Sequence, residues 1–218
     1  MKNKCIHEVV RILWQEVSKW KTPAVTVVAA RSRNPFDVLV SCLLSLRTKD
    51  ETTAQAFARL QTRARTPRGL LRIPESELAR IIFPVGFYNQ KAKSLHEICR
   101  TLLRDYDGKV PDSIDELLKL KGVGRKTANL VVTLGHGKPG ICVDTHVHRI
   151  TNRWGYLSTS TPEQTEFALR KKLPPEYWIE FNDLLVTYGQ NRCKPISPIC
   201  SECPILSMCK QIGVTKHR

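Results

Sequence analysis

A chain of 218 residues suffices for one large domain or two small ones, with a buried core. At 41% hydrophobic and 25% charged residues the composition excludes disorder, and no run approaches the ~18 apolar residues of a membrane-spanning helix. Lys and Arg number 35 against 20 Asp and Glu, and the resulting +15 points to a polyanionic partner rather than a membrane. The first eight residues lack the apolar core of a secretory signal, so the expected location is the cytoplasm, in association with the nucleoid.

Helical punctuation runs from end to end. Val9, Ile12, Leu13 and Val17 make one face of a first amphipathic helix. The Val-rich stretch from Val25 to Ala30 is too short to build a sheet alone. Asn34 before Pro35 reads as a cap with proline at the first helical position, opening a helix through Val38, Leu39, Cys42, Leu43 and Leu46. Asp50 can cap the next helix, which carries Ala54, Phe57 and Leu60. Short pieces follow at 69–71 and 75–82, punctuated by Pro67 and Pro74, and residues 89–106 form the clearest helix. Ser113 and Glu116 spell a capping box before Leu117 and Leu118. A glycine loop at 120–124 then leads into a helix over 125–135. Asp144 caps a helix reaching Trp154, Thr161-Pro162 opens another, and Pro174-Pro175 opens the last, before Gly189. No period-2 strand pattern and no solenoid repeat appears, so the fold class is all-α.

Three segments carry chemistry. Cys193, Cys200, Cys203 and Cys209 fall within the last 26 residues, and in a reducing compartment metal is a stronger reading than disulfides. Four thiolates on so short a loop repel one another unless a cation or cluster neutralises them, and tetrahedral zinc or a [4Fe–4S] cube both take four sulfurs. Zinc ribbons usually present two Cys-x2-Cys knuckles, unlike this spacing. Basic Arg192, Lys194 and Lys210 flank the cysteines. The second segment is Lys121-Gly122-Val123-Gly124-Arg125-Lys126, whose glycines permit a hairpin with backbone N–H groups beside a helix start, a ready phosphate site. The third, 142–149, contains Asp144, which could be only an N-cap. His146 and His148, two apart on a helix, point in different directions and read as structural.

Together and in this order, the glycine hairpin with its lysine, the Val-Asp-Thr-His-Val-His-Arg segment and the Cys-x6-Cys-x2-Cys-x5-Cys tail resemble the endonuclease III family, in the helix-hairpin-helix superfamily of DNA glycosylases. The resemblance runs from about Pro35 to Cys209. It implies two helical domains with a DNA-binding cleft between them: a six-helix domain over 28–137, and an iron-sulfur domain from 1–27 and 138–218. It implies a base excision repair enzyme that flips a damaged base out of double-stranded DNA. Lys126 would attack C1′ of the deoxyribose and Asp144 would assist it. Cys193, Cys200, Cys203 and Cys209 would hold a [4Fe–4S] cluster, with Lys194 on the basic loop that approaches the DNA backbone. A monomer is expected, acting on damaged bases or abasic sites.

Elementary chemistry agrees with these roles. A solvated lysine is almost entirely an ammonium at pH 7, whereas a helix start, a neighbouring Arg125 and burial all disfavour that form. Capping N–H groups help keep the Asp144 carboxylate ionised. A lysine nucleophile leaves a Schiff base, which allows β-elimination, so Lys126 favours a bifunctional glycosylase and AP lyase. The alternatives are a glycosylase for mismatched thymine, uracil or adenine or for an oxidised purine, or a non-catalytic DNA-binding module; the Lys126 and Asp144 pair speaks against the latter. Phe87 matches the loop where the family places an apolar wedge, with core packing as its plainer reading. Arg47 stands where well-known members carry a glutamine opposite the orphan base. Lys121 replaces a frequent proline and adds charge near phosphate, beside the hairpin's Gly122, Val123 and Gly124.

Overall fold

The computed structural model describes residues 5–32 and 34–218; residues 1–4, part of the segment read for a leader, lie outside the described residues. Among the described residues the regular structure is helical, with no strand, as the punctuation implies. No helix among them is long and apolar enough to cross a membrane. The chain divides into two compact units, one of Ala24–Gly140 and the other of the residues up to Pro23 with Ile141–Arg218.

The first unit is arranged around α3 (Pro35–Ser45), which follows α2 (Ala24–Ser32). Every residue of α3 from Phe36 to Leu44 is buried, as expected of a helix that is apolar on most sides, and its two polar members are bonded, Asp37 to Gln61 and Ser41 to Val38 O. Its start is the one the sequence spells: Asn34 Oδ1 accepts from the Phe36 N–H at 2.9 Å and Pro35 occupies the first turn. The Val-rich stretch before it belongs to α2, because Ala24, Val25 and Ala29 are buried and α2 packs on α3; packing overrides the strand preference of valine. Around this pair lie α4 (Asp50–Gln61), α5 (Pro67–Leu71), α6 (Glu75–Ile82), α7 (Tyr88–Asp105), α8 (Ile114–Leu118) and α9 (Arg125–Leu130). Asp50 is not a cap: it is the first residue of α4, and Lys49 occupies the cap without a side-chain bond. The capping box is half formed. Ser113 Oγ accepts from Glu116 N at 3.3 Å, but the Glu116 carboxylate bonds Tyr106 and Lys119 instead of returning to the cap. After Leu130 the helix widens into a π turn, Val131–Gly135.

The second unit holds α1 (Ile6–Val17), α10 (Thr145–Arg153), α11 (Pro162–Lys172) and α12 (Phe181–Asn191). Their shared core includes Ile6, Leu13, Trp154, Tyr156, Phe181 and Tyr188, and Cys193, Cys203 and Cys209 pack against it. Pro174-Pro175 does not open the last helix. It makes a single 3-10 turn, Pro175–Tyr177, and the helix restarts at Phe181 and continues past Gly189 to Asn191. Gly189 lies inside it because α10 approaches there: a Cβ would meet the His146 ring, with Arg149 Nη2 only 2.9 Å away.

Candidate active site and cysteine centre

The glycine hairpin forms between α8 and α9. Leu120 and Val123 bury their side chains beneath it, and Val123 N–H donates to Leu120 O at 3.1 Å. Gly122 takes φ +79, a conformation that costs a residue with a Cβ roughly 1–2 kcal/mol. Val123 thus turns inward, and the hairpin's outward backbone is that of exposed Gly122 and Gly124. Gly124 caps α9, so Lys126 is the second residue of that helix, on its exposed side. The expected burial of Lys126 is not found. Lys121 does not stand alone: its Nζ lies 2.8 Å from Glu97 Oε2 on α7.

Two left-handed turns lie in the same unit. Arg47 has φ 52 and Phe87 has φ 58, a region non-glycine residues rarely adopt. The Arg47 guanidinium sits over the Phe87 ring at 5.6 Å from its centroid. Phe87 is 57% exposed, which rules out core packing. With Leu43, Gln90, Lys91 and Gly122 these residues line a pocket of about 390 Å³.

In the other unit Asp144 caps α10, its Oδ1 accepting from His146 N at 2.8 Å and Val147 N at 3.0 Å. The two histidines do diverge: His146 Nδ1 meets Arg149, and His148 Nδ1 meets Thr165 Oγ1. Cys193, Cys200, Cys203 and Cys209 all line one pocket, with Arg153 and Tyr188. Polar hydrogens converge on these sulfurs. Arg153 Nη1 donates to Cys193 Sγ at 3.5 Å, Gln211 N to Cys209 Sγ at 3.4 Å, and the Tyr188 hydroxyl lies 3.0 Å from Cys203 Sγ. Arg153 also donates to the carbonyls of Lys194 and Pro195, both at 2.6 Å, and Arg149 to that of Cys193 at 2.8 Å. Burial pushes the Cys209 thiol up to about 11 and raises Cys200 as well, so holding them as thiolates needs a cation. Among the described residues no three His, Cys, Asp or Glu are gathered as a single ion would require. A tetrahedral zinc would draw its sulfurs to roughly 3.8 Å of one another, given Zn–S bonds of about 2.3 Å. Four sulfurs around one pocket are also the donor set that a four-iron cube takes, one sulfur to each corner. Arg192, read as a flanking basic residue, is instead committed: it pairs with Glu16 at 2.8 Å and with Glu202, and lies over Trp20.

The sequence reading missed Arg149, Arg153 and Tyr188, whose partners lie 15 to 44 residues away. It also missed Lys91, described below.

An all-helical chain with a glycine hairpin opening a lysine-bearing helix, and four cysteines around one pocket, has the parts of a helix-hairpin-helix DNA repair enzyme. The model of the HhH-GPD superfamily of base excision DNA repair proteins matches residues 40–175. The chain belongs to that superfamily and is a DNA glycosylase. It is 48% identical to endonuclease III of Thermotoga maritima over 83% of this chain and 84% of the relative. To endonuclease III of Escherichia coli it is 36% identical, over 81% and 84%. Among solved structures, a trapped endonuclease III–DNA covalent intermediate superposes with a TM-score of 0.85 at 33% identity, covering 97% of each chain.

Proposed function

We propose that the protein is a bifunctional glycosylase and AP lyase acting on oxidised or otherwise damaged pyrimidines in double-stranded DNA. The observation that carries this is Lys126, an exposed amine at the second position of the helix that opens directly from the hairpin. The similarity to a trapped covalent endonuclease III–DNA intermediate supports a covalent step. In this reading the bond from C1′ to the base breaks, the base leaves with the electron pair, and Lys126 nitrogen bonds C1′. The nitrogen, bonded as the neutral amine, loses one proton; the C1′–O4′ bond then breaks as O4′ takes up a proton, leaving an iminium Schiff base. That acidifies the 2′ carbon; its proton leaves, and the C3′–O bond breaks to release the 3′ phosphate. Asp144 supplies the negative charge that stabilises the sugar as positive charge develops. Exposed hairpin backbone at Gly122 and Gly124, with Lys121 and Lys194, binds phosphate; Arg47 and Phe87 meet the bases.

The four cysteines hold a [4Fe–4S] cluster in the same reading. The cluster's role is structural: bound, it supplies the positive iron that keeps four thiolates together and orders the loop carrying Lys194. The purified protein should be yellow-brown with roughly four irons; one zinc and no colour would replace this assignment.

The deciding experiment is borohydride trapping on duplexes containing thymine glycol, uracil, mismatches or an abasic site. Lys126→Gln should abolish the trapped adduct while leaving binding nearly intact. Asp144→Asn should slow base release by roughly 10²–10³-fold or more, without unfolding, because asparagine remains a good cap. An adduct formed by Lys126→Gln would assign the nucleophile elsewhere, and strong preference for a mismatched thymine would replace the substrate class.

A further inference from the structure

Lys91, on α7, is a buried lysine for which the chemistry above has no use; only 9% of it is exposed. Its ammonium donates to Leu44 O at 2.7 Å, to Leu46 O at 2.6 Å and to Thr48 Oγ1 at 3.1 Å. All three acceptors are uncharged, and burial pulls the group down to about 8, so it is still mostly an ammonium at pH 7. Burying a cation without a carboxylate is costly, and a side chain whose only task was to cover α3 could be leucine or methionine. The ammonium caps the carbonyl end of α3, but its acceptors extend past that end to bracket Arg47 on both sides.

The main chain of Lys91 reaches the other turn. Its N–H donates to Phe87 O at 2.9 Å, and Thr48 Oγ1, already bonded by the ammonium, accepts from Gly86 N at 3.1 Å. At Gly86 a Cβ would come within 2.7 Å of Arg47 O, so the two turns touch backbone to backbone. One residue therefore joins both turns, each of which contains a left-handed non-glycine residue. Such conformations are strained and persist only where the surroundings over-determine them.

We propose that Lys91 is a positioning residue, whose buried ammonium locks the 46–48 and 86–88 turns together and so presents Arg47 and Phe87 to DNA as one preformed element. This rests on the reading that Arg47 and Phe87 meet the bases. Holding them ready removes the entropy of ordering two long side chains when the stack is opened. The clamp matters where a duplex must be opened and not where the target is already single-stranded.

The test compares Lys91→Met and Thr48→Val on two substrates: excision from a thymine glycol duplex, and borohydride trapping on a single-stranded abasic oligonucleotide. Lys91→Met should lower kcat on the duplex about 10- to 100-fold, with single-stranded trapping within about twofold of the unaltered protein. Thr48→Val should shift the ratio the same way by less, and decides the matter if Lys91→Met does not fold. Parallel losses on both substrates, tracking a fall in Tm, would make Lys91 merely structural; unchanged duplex activity in the folded variants would also overturn the proposal. The double variant Arg47→Ala, Phe87→Ala separates the two readings. If it keeps duplex excision, the DNA-facing role of the pair is wrong and the positioning role falls with it. If it loses duplex excision while Lys91→Met and Thr48→Val keep theirs, only the Lys91 inference fails.

Discussion

The hairpin region and the cysteine loop are both basic and both assigned to the same substrate, yet they are built in opposite ways. Around the hairpin the side chains proposed to act are exposed: Lys126 is at the surface, Phe87 is 57% exposed, and Lys121 meets the Glu97 carboxylate. Around the cysteines the polar groups are buried or half-buried and heavily bonded, with Arg149, Arg153, Tyr188 and Gln211 all directed at the loop or its sulfurs. A lysine proposed as a nucleophile must reach its substrate, and the surface position of Lys126 allows that. A loop of four thiols has no hydrophobic reason to stay folded, so its shape is imposed by donors from neighbouring helices and by whatever the sulfurs bind.

The largest expected effect attacks that scaffold. Arg153→Met removes the donors to Lys194 O, Pro195 O and Cys193 Sγ at a site where Arg153 is 9% exposed. A hydrogen bond from a charged donor is worth about 1.5–3 kcal/mol, and less where water can replace it, as at these part-buried carbonyls, so a loss of roughly 2–3 kcal/mol is expected in denaturant unfolding. Hydrogen exchange should speed up over 193–209 and stay unchanged over 120–130. Equal acceleration in both segments would show that the contrast between the regions does not exist.

A smaller effect tests how the loop is tied to α1. Glu16 is held below its ordinary carboxylate value by hydrogen bonds from Lys19 and then Arg192, the residue preceding Cys193. A carboxylate depressed in the folded state stabilises fully above its unfolded value near 4.5, and that contribution is lost as pH falls through the lower folded value. Stability should therefore decline below about pH 4.5 in part through Glu16. Glu16→Gln should cost about 1–2 kcal/mol at pH 7 and flatten that part of the acid slope. An unchanged slope would mean that the pair with Arg192 is ornamental.

What could be read from the amino acids follows the same division. Local signals were legible: Asn34, Ser113, Thr161 and Asp144 all cap the helices their spacing announces, because a cap is satisfied within three residues. The hairpin and the four cysteines were legible for the same reason. Signals that close over a long distance were not. Nothing in the pattern of α7 distinguishes Lys91 from a solvated lysine, since its acceptors lie 43 to 47 residues earlier. Phe87 was ambiguous until its left-handed backbone and exposure were seen. Pro174-Pro175 looked like a helix start, but the chain completes only the turn Pro175–Tyr177 there, and the helix begins again at Phe181.

The smallest effect concerns the pair that links the hairpin to α7. Lys121 is largely exposed, at 64% of its side chain, and Glu97 is 28% exposed, so the pair itself adds little stability. Its interest is what it does to the positive charge offered to phosphate. A lysine that neutralises one phosphate contributes about one unit to the salt dependence of DNA binding, and Lys121→Ala should reduce the slope by about that amount for every sequence. With the lysine gone, the Glu97 carboxylate is left facing the DNA backbone, so affinity should fall by more than the lost contact alone. Glu97→Gln separates the two contributions. It releases Lys121 and removes a negative charge, and should tighten binding to undamaged duplex a few-fold at low salt, fading as salt screens it. In the double variant the loss should be smaller than in Lys121→Ala. If Glu97→Gln leaves affinity unchanged while Lys121→Ala still lowers the slope, the ion pair opens freely when DNA arrives and the hairpin's charge is unrestrained. If neither substitution moves the slope, the hairpin meets phosphate through the Gly122 and Gly124 backbone alone, and its lysine serves only to hold α7.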